Sequence, residues 1–395
     1  MKANPGGIVS PSDVIGRDRL IARLWTILEQ QGLVLVAERR MGKTAIIRKM
    51  EAEPAEGWRA IYLDVEGVSR ADEFIERLAL AIRNHLSASN KATQWLRDFW
   101  SALGGFEVAS VLKLPEARQP HWKTVLERLL GELARNADQR LVLIWDEFPW
   151  MLQKIARAES ASAVVDLLDV LRGLRQTHAN PRLVFTGSIG LHHVVAGLQD
   201  QDYVHSPLND LRTIEVPPLA PPDAVQLADA LLRGEGLAAA ADVAERIAEQ
   251  VEGVPYYIHH VVATLADLGQ PVTVPTVDAV VARSLTEPQD PWNLEHYRNR
   301  LGPYYGESAS LARTLLDVLA ETDALDLDAL HEQLRIKARP DNDRVRRIVE
   351  GDREELRKLI KLMQRDHYLE QDERGAYRFR FALIRRWWRI DLGLG

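Results

Sequence analysis

Apolar runs of strand length alternate with amphipathic helical stretches along the first half of the chain. Segments such as 71–86 and 122–136 carry apolar residues at helical spacing. The apolar runs are LVLVA (33–37), AIYLDV (60–65), LVLIWD (141–146), LVFTG (183–187) and TIEV (213–216). Because strands that are apolar on both faces must be covered on both sides, this pattern predicts an α/β fold with a parallel sheet between helices. An insertion at 93–115 ends in a predicted short hairpin.

The pattern changes at the proline-rich segment PPLAPPDA (217–224), which marks a domain border. Beyond it, helical spacing predicts four successive helices, at 222–234, 240–252, 255–268 and 276–285. A linker at 286–306 leads to three more predicted helices and to two short alternating strands within 368–381. Helices followed by a hairpin predict a winged helix. The predicted domains are a core at 1–218, a helical domain at 219–287, and a linker with a winged-helix domain at 288–395.

Composition and charge narrow the class of protein. A chain of 395 residues is too long for one compact core, which agrees with several domains. The net charge of -7 gives no overall positive field, so any contact with DNA would come from a local patch. The absence of cysteine excludes disulfides, thiolate zinc sites and cysteine nucleophiles. The polar N-terminus and the lack of a membrane-length apolar run predict a soluble, cytoplasmic protein without membrane contact.

The segment AERRMGKT (37–44) joins an apolar strand to a predicted helix and ends in Gly-Lys-Thr. A phosphate-binding loop needs consecutive N–H groups, a lysine that reaches the outer phosphates and a hydroxyl for magnesium. The positive end of the following helix adds to the attraction. Lys43 and Thr44 satisfy this pattern. The predicted nucleotide-binding residues are Ala37, Glu38, Arg39, Arg40, Met41, Gly42, Lys43, Thr44 and Ala45.

Some positions of this loop leave alternatives open. Ala37 occupies a place where glycine is usual, but alanine is the smallest substitute and the position need not have a positive φ. Arg39 and Arg40 would either add charge near the phosphates or face solvent. A chance Gly-Lys-Thr at a helix start is the competing interpretation, and the strand–loop–helix context favours the phosphate loop.

Two acids, Asp146 and Glu147, end the apolar run LVLIWD-E. Ligands of open α/β sheets bind at the carboxyl ends of the strands, where these acids emerge. We expect Asp146 to hold magnesium and Glu147 to orient and deprotonate an attacking water. Two acids after a strand are weak evidence alone, and the upstream phosphate loop makes them stronger.

Polar residues also end two neighbouring apolar runs. Thr186 and Ser188 follow LVF, and one hydroxyl there could reach the γ-phosphate or the attacking water. We favour Ser188 for this catalytic sensor role, and the alternative is an ordinary helix cap. Asp64 ends AIYLDV and would either hydrogen-bond Glu147 or serve as a strand-end turn residue.

The sequence resembles the STAND NTPases, relatives of the AAA+ ATPases, in their archaeal-ATPase-like branch. The resembling segments are VIGRDRLIARL (14–24), AERRMGKT (37–44), LVLIWDEFPWML (141–152), LVFTGSIG (183–190), EGVPYYIHHV (252–261) and YRFRFALIRRWWR (377–389). They span nearly the whole chain in the expected order. The resemblance implies a P-loop sheet in the order 5-1-4-3-2, a helical lid, a winged helix, and ATP with Mg²⁺. It also implies that alanine is accepted at Ala37.

The resemblance further implies contacts beyond the phosphates. Gly16 and Arg17 would lie near the nucleotide base. Gly253 and Pro255 would pack near adenine and report nucleotide state, although turn chemistry alone also explains them. Related ATPases receive an arginine finger from a neighbouring subunit. Arg212 and Arg182 are the candidates here, with a surface arginine as the favoured alternative for each.

The C-terminal residues leave the partner open. Basic stretches at 335–347 and 385–389 would allow DNA contact through the winged helix, and protein–protein contact is the rival. Trp387 and Trp388 would bind a partner or a base, or would pack the domain's own core. Relatives often carry a nuclease-like domain after the winged helix, so we expect that chemistry to be absent here or to lie on another polypeptide.

These observations predict a Mg²⁺-dependent ATPase that acts as a molecular switch. Its nucleotide state would control homo-oligomerisation or a partner or DNA contact, in antiviral defence or signalling. One alternative is an origin-recognition-like or transposition-like DNA-binding loader. A second alternative is a regulatory scaffold that binds nucleotide without turnover.

Overall fold

In the computed structural model, residues 1–86, 122–136, 139–187, 190–199 and 207–394 are described. The chain divides into two compact units. The first, which we call the sheet unit, comprises Val9–Ala37 and Gly42–Val216. The second, the C-terminal unit, comprises Met1–Ile8, Glu38–Met41 and Pro217–Gly395. The middle of the predicted phosphate loop therefore groups with the C-terminal residues, although its two ends belong to the sheet unit.

The sheet unit is built on a five-stranded parallel sheet. Its strands are β1 (Leu33–Val36), β2 (Trp58–Asp64), β3 (Arg140–Asp146), β4 (Arg182–Thr186) and β5 (Arg212–Glu215). Their order across the sheet is β2-β3-β4-β1-β5, and each neighbouring pair is parallel. This confirms the expected α/β class and the expected order 5-1-4-3-2.

Helices pack on this sheet. They are α1 (Asp18–Leu28), α2 (Lys43–Ala52), α3 (Ala71–Leu86), α4 (Trp122–Asn136), α5 (Phe148–Ala158), α6 (Ala161–Thr177) and α7 (Leu191–Gln199). Aromatic rings fill the space between the sheet and α5. Phe148 stacks on Phe185 with ring centroids 4.1 Å apart, and Trp145 lies 5.4 Å from Phe185. This packing fixes the end of β3 and the start of α5, where the two predicted acids lie. The hairpin predicted within 93–115 lies outside the described residues.

The C-terminal unit is mainly helical. Its elements are α8 (Pro221–Gly234), α9 (Ala241–Gln250), α10 (Pro255–Leu268), α11 (Val274–Thr286), α12 (Glu295–Asn299), α13 (Leu301–Tyr305), α14 (Ala309–Thr322), β6 (Ala324–Leu325), α15 (Leu327–Lys337), α16 (Asp343–Glu350), α17 (Arg353–Arg365), β7 (Leu369–Gln371), β8 (Tyr377–Phe379) and α18 (Ala382–Asp391). The first four match the helices predicted from the periodicity to within a few residues. Short helices α12 and α13 occupy the segment predicted as a linker.

A small antiparallel sheet of order β6-β8-β7 accompanies the last helices. Its hairpin turns at Asp372, whose carboxylate accepts hydrogen bonds from Arg374 N and Ala376 N, both 2.9 Å long. Gly375 completes the turn with φ +86°. The predicted hairpin is confirmed, and the assignment of a winged helix stays a prediction.

The paired tryptophans of α18 belong to the core of the C-terminal unit. Trp388 is fully buried and donates from Nε1 to Asp317 Oδ1 at 2.7 Å. Its ring lies 6.0 Å from Phe379, and Trp387 packs edge-on against it. The two rings are therefore structural, in agreement with the second of the two alternatives. Among the described residues, no helix is both long enough and apolar enough to cross a membrane.

Candidate nucleotide-binding site

The end of β1 and the start of α2 form the frame of the predicted phosphate loop. Ala37 follows β1 directly and is buried. Gly42 precedes α2 with φ +84°, and a Cβ built there would meet no atom within 4 Å. Glycine is therefore favoured here by backbone conformation and not by lack of space. The turn places the N-terminus of α2 at the carboxyl edge of the sheet, where its N–H groups can bind an anion.

Lys43 reaches back across this frame. Its ammonium donates a hydrogen bond to Ala37 O at 2.9 Å, and the side chain is buried. The first residue of α2 is thereby joined to the last residue before the loop. This geometry holds a positive charge at the inner side of the turn, where the outer phosphates of a nucleotide would be bound.

Thr44 and Asp146 are brought into direct contact. Thr44 Oγ1 donates to Asp146 Oδ2 at 2.8 Å, which links the first turn of α2 to the end of β3. Tyr62 OH donates more weakly to the same oxygen at 3.4 Å, and Glu147 N donates to Asp146 Oδ1 at 3.1 Å. A hydroxyl beside a carboxylate is a set of hard oxygen ligands, which suits Mg²⁺. Tyr62 was not predicted from the sequence, because its position in AIYLDV reads only as core.

The electrostatics of Asp146 also fit a cation. Burial raises the pKa of Asp146 above its ordinary value, against the lowering effect of the Thr44 hydrogen bond. The neighbouring charges of Glu147 and Asp64 raise this pKa further. A carboxylate whose ionised form is disfavoured by burial and by like charges is stabilised when a divalent cation binds beside it.

Glu147 has an unusual backbone conformation. It precedes α5 and has φ +58°, in the left-handed region that residues other than glycine seldom adopt. Gly187, at the end of β4, approaches it closely, since a Cβ there would lie 3.6 Å from Glu147 Cα and 2.6 Å from Pro149 Cδ. Strained residues of this kind concentrate at functional sites, which fits the predicted role of Glu147 as a base.

A buried hydroxyl lies at the end of β4, between the strands that carry the loop and the acids. Thr186 is 1% exposed, and its Oγ1 has no hydrogen-bond partner among the described residues. Thr186 pairs with Leu35 of β1 in the sheet register. Buried unsatisfied hydroxyls are uncommon and costly, so this one is a candidate to bind a ligand. Ser188, which the sequence favoured, lies outside the described residues.

Asp64 ends β2 directly beside Asp146 in the register. Its carboxylate accepts a hydrogen bond from Glu66 N at 2.9 Å and is exposed. The structure thus supports the interpretation of Asp64 as a strand-end turn residue.

Gly16 and Arg17 lie immediately before α1, in the sheet unit. Gly16 has φ +72°, and Arg17 is buried at the N-cap of the helix. The next residue, Asp18, forms an ion pair with Lys49 of α2, with 3.0 Å between Oδ1 and Nζ. The predicted base-binding pair is therefore fixed against the helix that follows the loop, and its nucleotide contact stays a prediction.

Arg212 begins β5 and is exposed. It pairs with Leu33, the first residue of β1, whereas the loop follows the last residue, Val36. The first and last residues of β1 are three residue steps apart, which corresponds to about 10 Å along the strand. Arg212 thus lies at the amino edge of the sheet, opposite the loop, so an arginine finger at this position would act only on another subunit. Arg182, the other candidate, begins β4 and donates from its guanidinium to Leu28 O and Glu29 O at 3.0 Å, and its role as a finger stays a prediction.

The middle of the loop is held by the C-terminal unit. Arg40 has φ +75°, and its guanidinium donates to Tyr257 OH at 2.8 Å, to Trp292 O and to Asn293 O. The guanidinium also lies 4.4 Å from the centre of the Tyr256 ring. The charge of Arg40 is therefore directed to α10 and the segment before α12, which is neither of the two destinations expected from the sequence.

Gly253 and Pro255 form the turn between α9 and α10. Gly253 has φ +68°, and a Cβ there would lie 2.5 Å from Leu219 O, so only glycine fits. Pro255 is the first residue of α10. Between them, Val254 lines a pocket shared with Met41 of the loop. Turn geometry thus explains the glycine, and the predicted contact with adenine stays a prediction.

Comparison with known proteins supports the fold. No known protein family matches the sequence, and no curated protein matches it. A Walker-type ATPase of Pyrococcus abyssi superposes with a TM-score of 0.62 at 16% identity, covering 96% of this chain and 97% of its own. The ORC2 protein of Aeropyrum pernix gives 0.53 at 11% identity, covering 99% and 98%. The chain has the fold of the AAA+ P-loop NTPases, as the resemblance in sequence implied.

Proposed function

We propose that the protein binds ATP with Mg²⁺ and hydrolyses it as a molecular switch. The observation that carries the proposal is the contact between Thr44 Oγ1 and Asp146 Oδ2, 2.8 Å long, beside a lysine folded over the same turn. The fold of a Walker-type ATPase supports it, as does the likeness to ORC2, whose structure was solved with ADPNP and ADP. The positive turn, the paired hard oxygens and the strained acid together suit a nucleotide better than any other ligand.

Each side chain has a defined role in this proposal. Lys43 binds the outer phosphates, and Thr44 with Asp146 holds Mg²⁺. Magnesium supplies charge neutralisation for the phosphates when it is bound. Glu147 accepts the proton of the attacking water, and Thr186 donates its unused hydroxyl to the γ-phosphate or to that water. Because Thr186 is buried between two strands, it can hold this hydroxyl without reorganisation.

Two variants test the proposal. Lys43→Ala should abolish the Mg-ATP binding that calorimetry measures for the parent protein, because the outer phosphates lose their cation. Glu147→Gln should keep binding but lower phosphate release about 100-fold or more, as expected when a general base is lost. Lys154→Ala is the matched control and should change neither quantity, because this half-buried lysine of α5 donates to Glu66 O. Binding of ATP without any turnover in the parent would instead favour the regulatory scaffold.

The DNA-binding loader is kept as a second candidate because of the likeness to the ORC2 protein. The buried position of Trp387 and Trp388 removes base stacking on these rings as a mechanism. Binding would therefore rest on the basic stretches of the C-terminal unit and should weaken steeply with salt. Fluorescence anisotropy with labelled duplex at low and physiological salt, with and without Mg-ATP, decides between the candidates.

A further inference from the structure

An acidic side chain occupies the middle of the predicted phosphate loop. Glu38 is buried, and its Oε1 accepts a hydrogen bond from Arg39 N at 2.7 Å. An uncompensated carboxylate at this position would repel phosphate and would also occupy an N–H group of the loop. The loop thus needs a cation to neutralise Glu38.

Arg300, between α12 and α13, supplies this cation within the C-terminal unit. Its Nη1 and Nη2 donate to the two oxygens of Glu38 at 2.8 and 2.7 Å, a bidentate pair. Nε donates to Tyr368 OH at 2.6 Å, and Nη2 also donates to Asp366 O at 3.3 Å. The side chains of Arg300 and Glu38 are 5% and 1% exposed. A fully hydrogen-bonded, desolvated pair of this kind is lost at high cost when only one partner is removed.

Aromatic rings fix the orientation of the guanidinium. It lies 4.7 Å from the centre of the Tyr297 ring and 4.4 Å from that of Tyr368. Tyr368 OH in turn donates to Tyr297 O at 2.6 Å, and Tyr305 OH donates to Asp366 Oδ2 at 2.7 Å. The planar fork of arginine is required here, because a lysine could not serve both oxygens and the tyrosine together.

The electrostatics favour a charged pair. Burial raises the pKa of Glu38, but the charge and hydrogen bonds of Arg300, together with the Arg39 N–H and the charge of His367, hold that pKa below its ordinary value. The same segment is anchored again by Arg40, whose guanidinium donates to Tyr257, and by Met41, which is buried in the pocket with Val254. Residues 38–41 therefore depend on the C-terminal unit for their conformation.

We propose that Arg300 is a positioning residue for nucleotide binding: it neutralises Glu38 and holds residues 38–41 in the conformation that accepts a triphosphate. The inference deepens the proposed ATP site and rests on it. Arg300 belongs to the linker at 286–306, between the predicted lid and the predicted winged-helix domain. ATP affinity therefore depends on the conformation of this linker. Binding of ATP and the conformation of the C-terminal unit are then coupled through one ion pair, in both directions.

The first test is a double-mutant cycle on Mg-ATP affinity, measured by calorimetry. Arg300→Met should weaken binding about tenfold or more, because Glu38 is left charged and unpaired. In Glu38→Gln with Arg300→Met, most of the affinity should return, since the unpaired charge is gone. A merely structural arginine would show no such rescue. The Mg-ATP affinity of Arg300→Lys should lie between those of the parent and Arg300→Met. This variant replaces Arg300→Met in the test if the methionine variant fails to fold.

The second test needs no nucleotide and uses the absence of cysteine in the chain. Met41→Cys introduces a single thiol into the loop, whose alkylation rate by iodoacetamide reports opening of residues 38–41. Adding Arg300→Met should raise this rate about tenfold or more at temperatures well below unfolding. Arg175→Met is the matched control, because Arg175 makes a partly buried bidentate pair with Asp210 that does not involve the loop. It should leave the rate unchanged.

The two tests separate the inference from the proposed function. An unchanged alkylation rate with Arg300→Met, or a double variant that binds ATP no better than Arg300→Met alone, overturns the role of Arg300. If the parent protein binds no ATP but the alkylation rate rises as expected, the ATP proposal fails while the hold of Arg300 on the loop stands.

Discussion

At the scale of single residues, two glycines with positive φ are constrained in different ways, one by backbone conformation alone and the other also by lack of space. Gly42 has space for a side chain but an unfavourable backbone conformation, whereas Gly253 has both a positive φ and Leu219 O 2.5 Å from the position of a Cβ. Gly42 therefore tolerates a small side chain at moderate cost, and Gly253 does not. The distinction can be measured directly, since alanine substitution adds only a Cβ.

We expect Gly42→Ala to lower the free energy of unfolding by about 1–2 kcal/mol, the cost of a left-handed alanine. Gly253→Ala should cost about 2–4 kcal/mol, because the clash adds to the backbone strain. Urea unfolding followed by circular dichroism measures both. Gly173→Ala is the control: it lies within α6 with open space around it, so it should stabilise the protein by about 0.5–1 kcal/mol. Equal losses for Gly42 and Gly253 would contradict the distinction.

The unsatisfied hydroxyl of Thr186 gives a second prediction. Thr186→Val keeps the shape of the side chain and removes the buried polar group, so the free energy of unfolding should be unchanged or higher. Phosphate release should nevertheless fall about tenfold or more, because the proposed donor to the γ-phosphate is lost. Thr213→Val, at an exposed position of β5, is the control and should leave turnover unchanged. Turnover of Thr186→Val equal to that of the parent would remove Thr186 from the site.

At the scale of elements, the sequence predicts the strands and the first four C-terminal helices well. Strand β3 is predicted at 141–146 and found at Arg140–Asp146, because a strand buried on both faces is a continuous apolar run. Thr44 and Asp146 meet for a similar reason, since parallel topology brings the start of α2 and the end of β3 to one edge. These features follow from local pattern and topology.

Other parts of the site could not be predicted in this way. The pairing of Glu38 with Arg300 joins residues 262 positions apart, and no periodicity connects them. The one available signal was chemical, because a glutamate within a phosphate loop demands a nearby cation. The destination of Arg40 was missed for the same reason, since its acceptors include the backbone oxygens of Trp292 and Asn293, which carry no sequence signature.

A partly buried histidine of α10, His260, makes the stability of the folded protein depend on pH. Burial, followed by the charges of Arg40 and His259, lowers the pKa of His260 from 6.5 to about 4. The folded protein holds this ring neutral, whereas the unfolded chain binds a proton near pH 6.5. His260 therefore contributes its stability above pH 6.5, and that stability is lost as the pH falls from 6.5 towards 4. His296 shifts in the same direction, also to about 4, with burial as the largest cause.

We therefore expect the melting temperature to fall between pH 7 and pH 5. In His260→Gln the fall should be smaller, because the variant has no ring to protonate on unfolding. Differential scanning calorimetry at both pH values measures the difference. His178→Gln is the control on α6's C-cap and should leave the fall unaltered. A fall of the same size in His260→Gln and the parent would contradict the assignment.

At the scale of the whole molecule, Arg212 lies at the amino edge of the sheet, so turnover would depend on assembly if Arg212 served as an arginine finger. Arg212→Ala should lower phosphate release if the residue acts on a neighbouring subunit, while Mg-ATP binding should be kept. Phosphate release by a mixture of the Arg212→Ala and Glu147→Gln proteins should then exceed the sum of the rates that the two variants show separately. In mixed assemblies, the Glu147→Gln subunit supplies Arg212 to an intact site on the other.

One result would contradict the role of Arg212 as an arginine finger. Arg212→Ala turnover equal to that of the parent at every protein concentration would show that Arg212 is a surface arginine. Light scattering with and without Mg-ATP establishes whether the protein assembles under the same conditions. Arg233→Ala, an exposed arginine on α8 that pairs with Asp229, is the matched control for charge removal.

The grouping of residues 38–41 with the C-terminal unit has a consequence for the order of events during synthesis. A ribosome makes this tetrapeptide early, yet its partners Tyr257, Trp292 and Arg300 are translated only after the whole sheet unit. A nascent chain can therefore complete its sheet while the nucleotide cradle is still unfinished. If the protein binds ATP as proposed, it should acquire this affinity only near the end of translation, and an incomplete chain would not enter a nucleotide cycle.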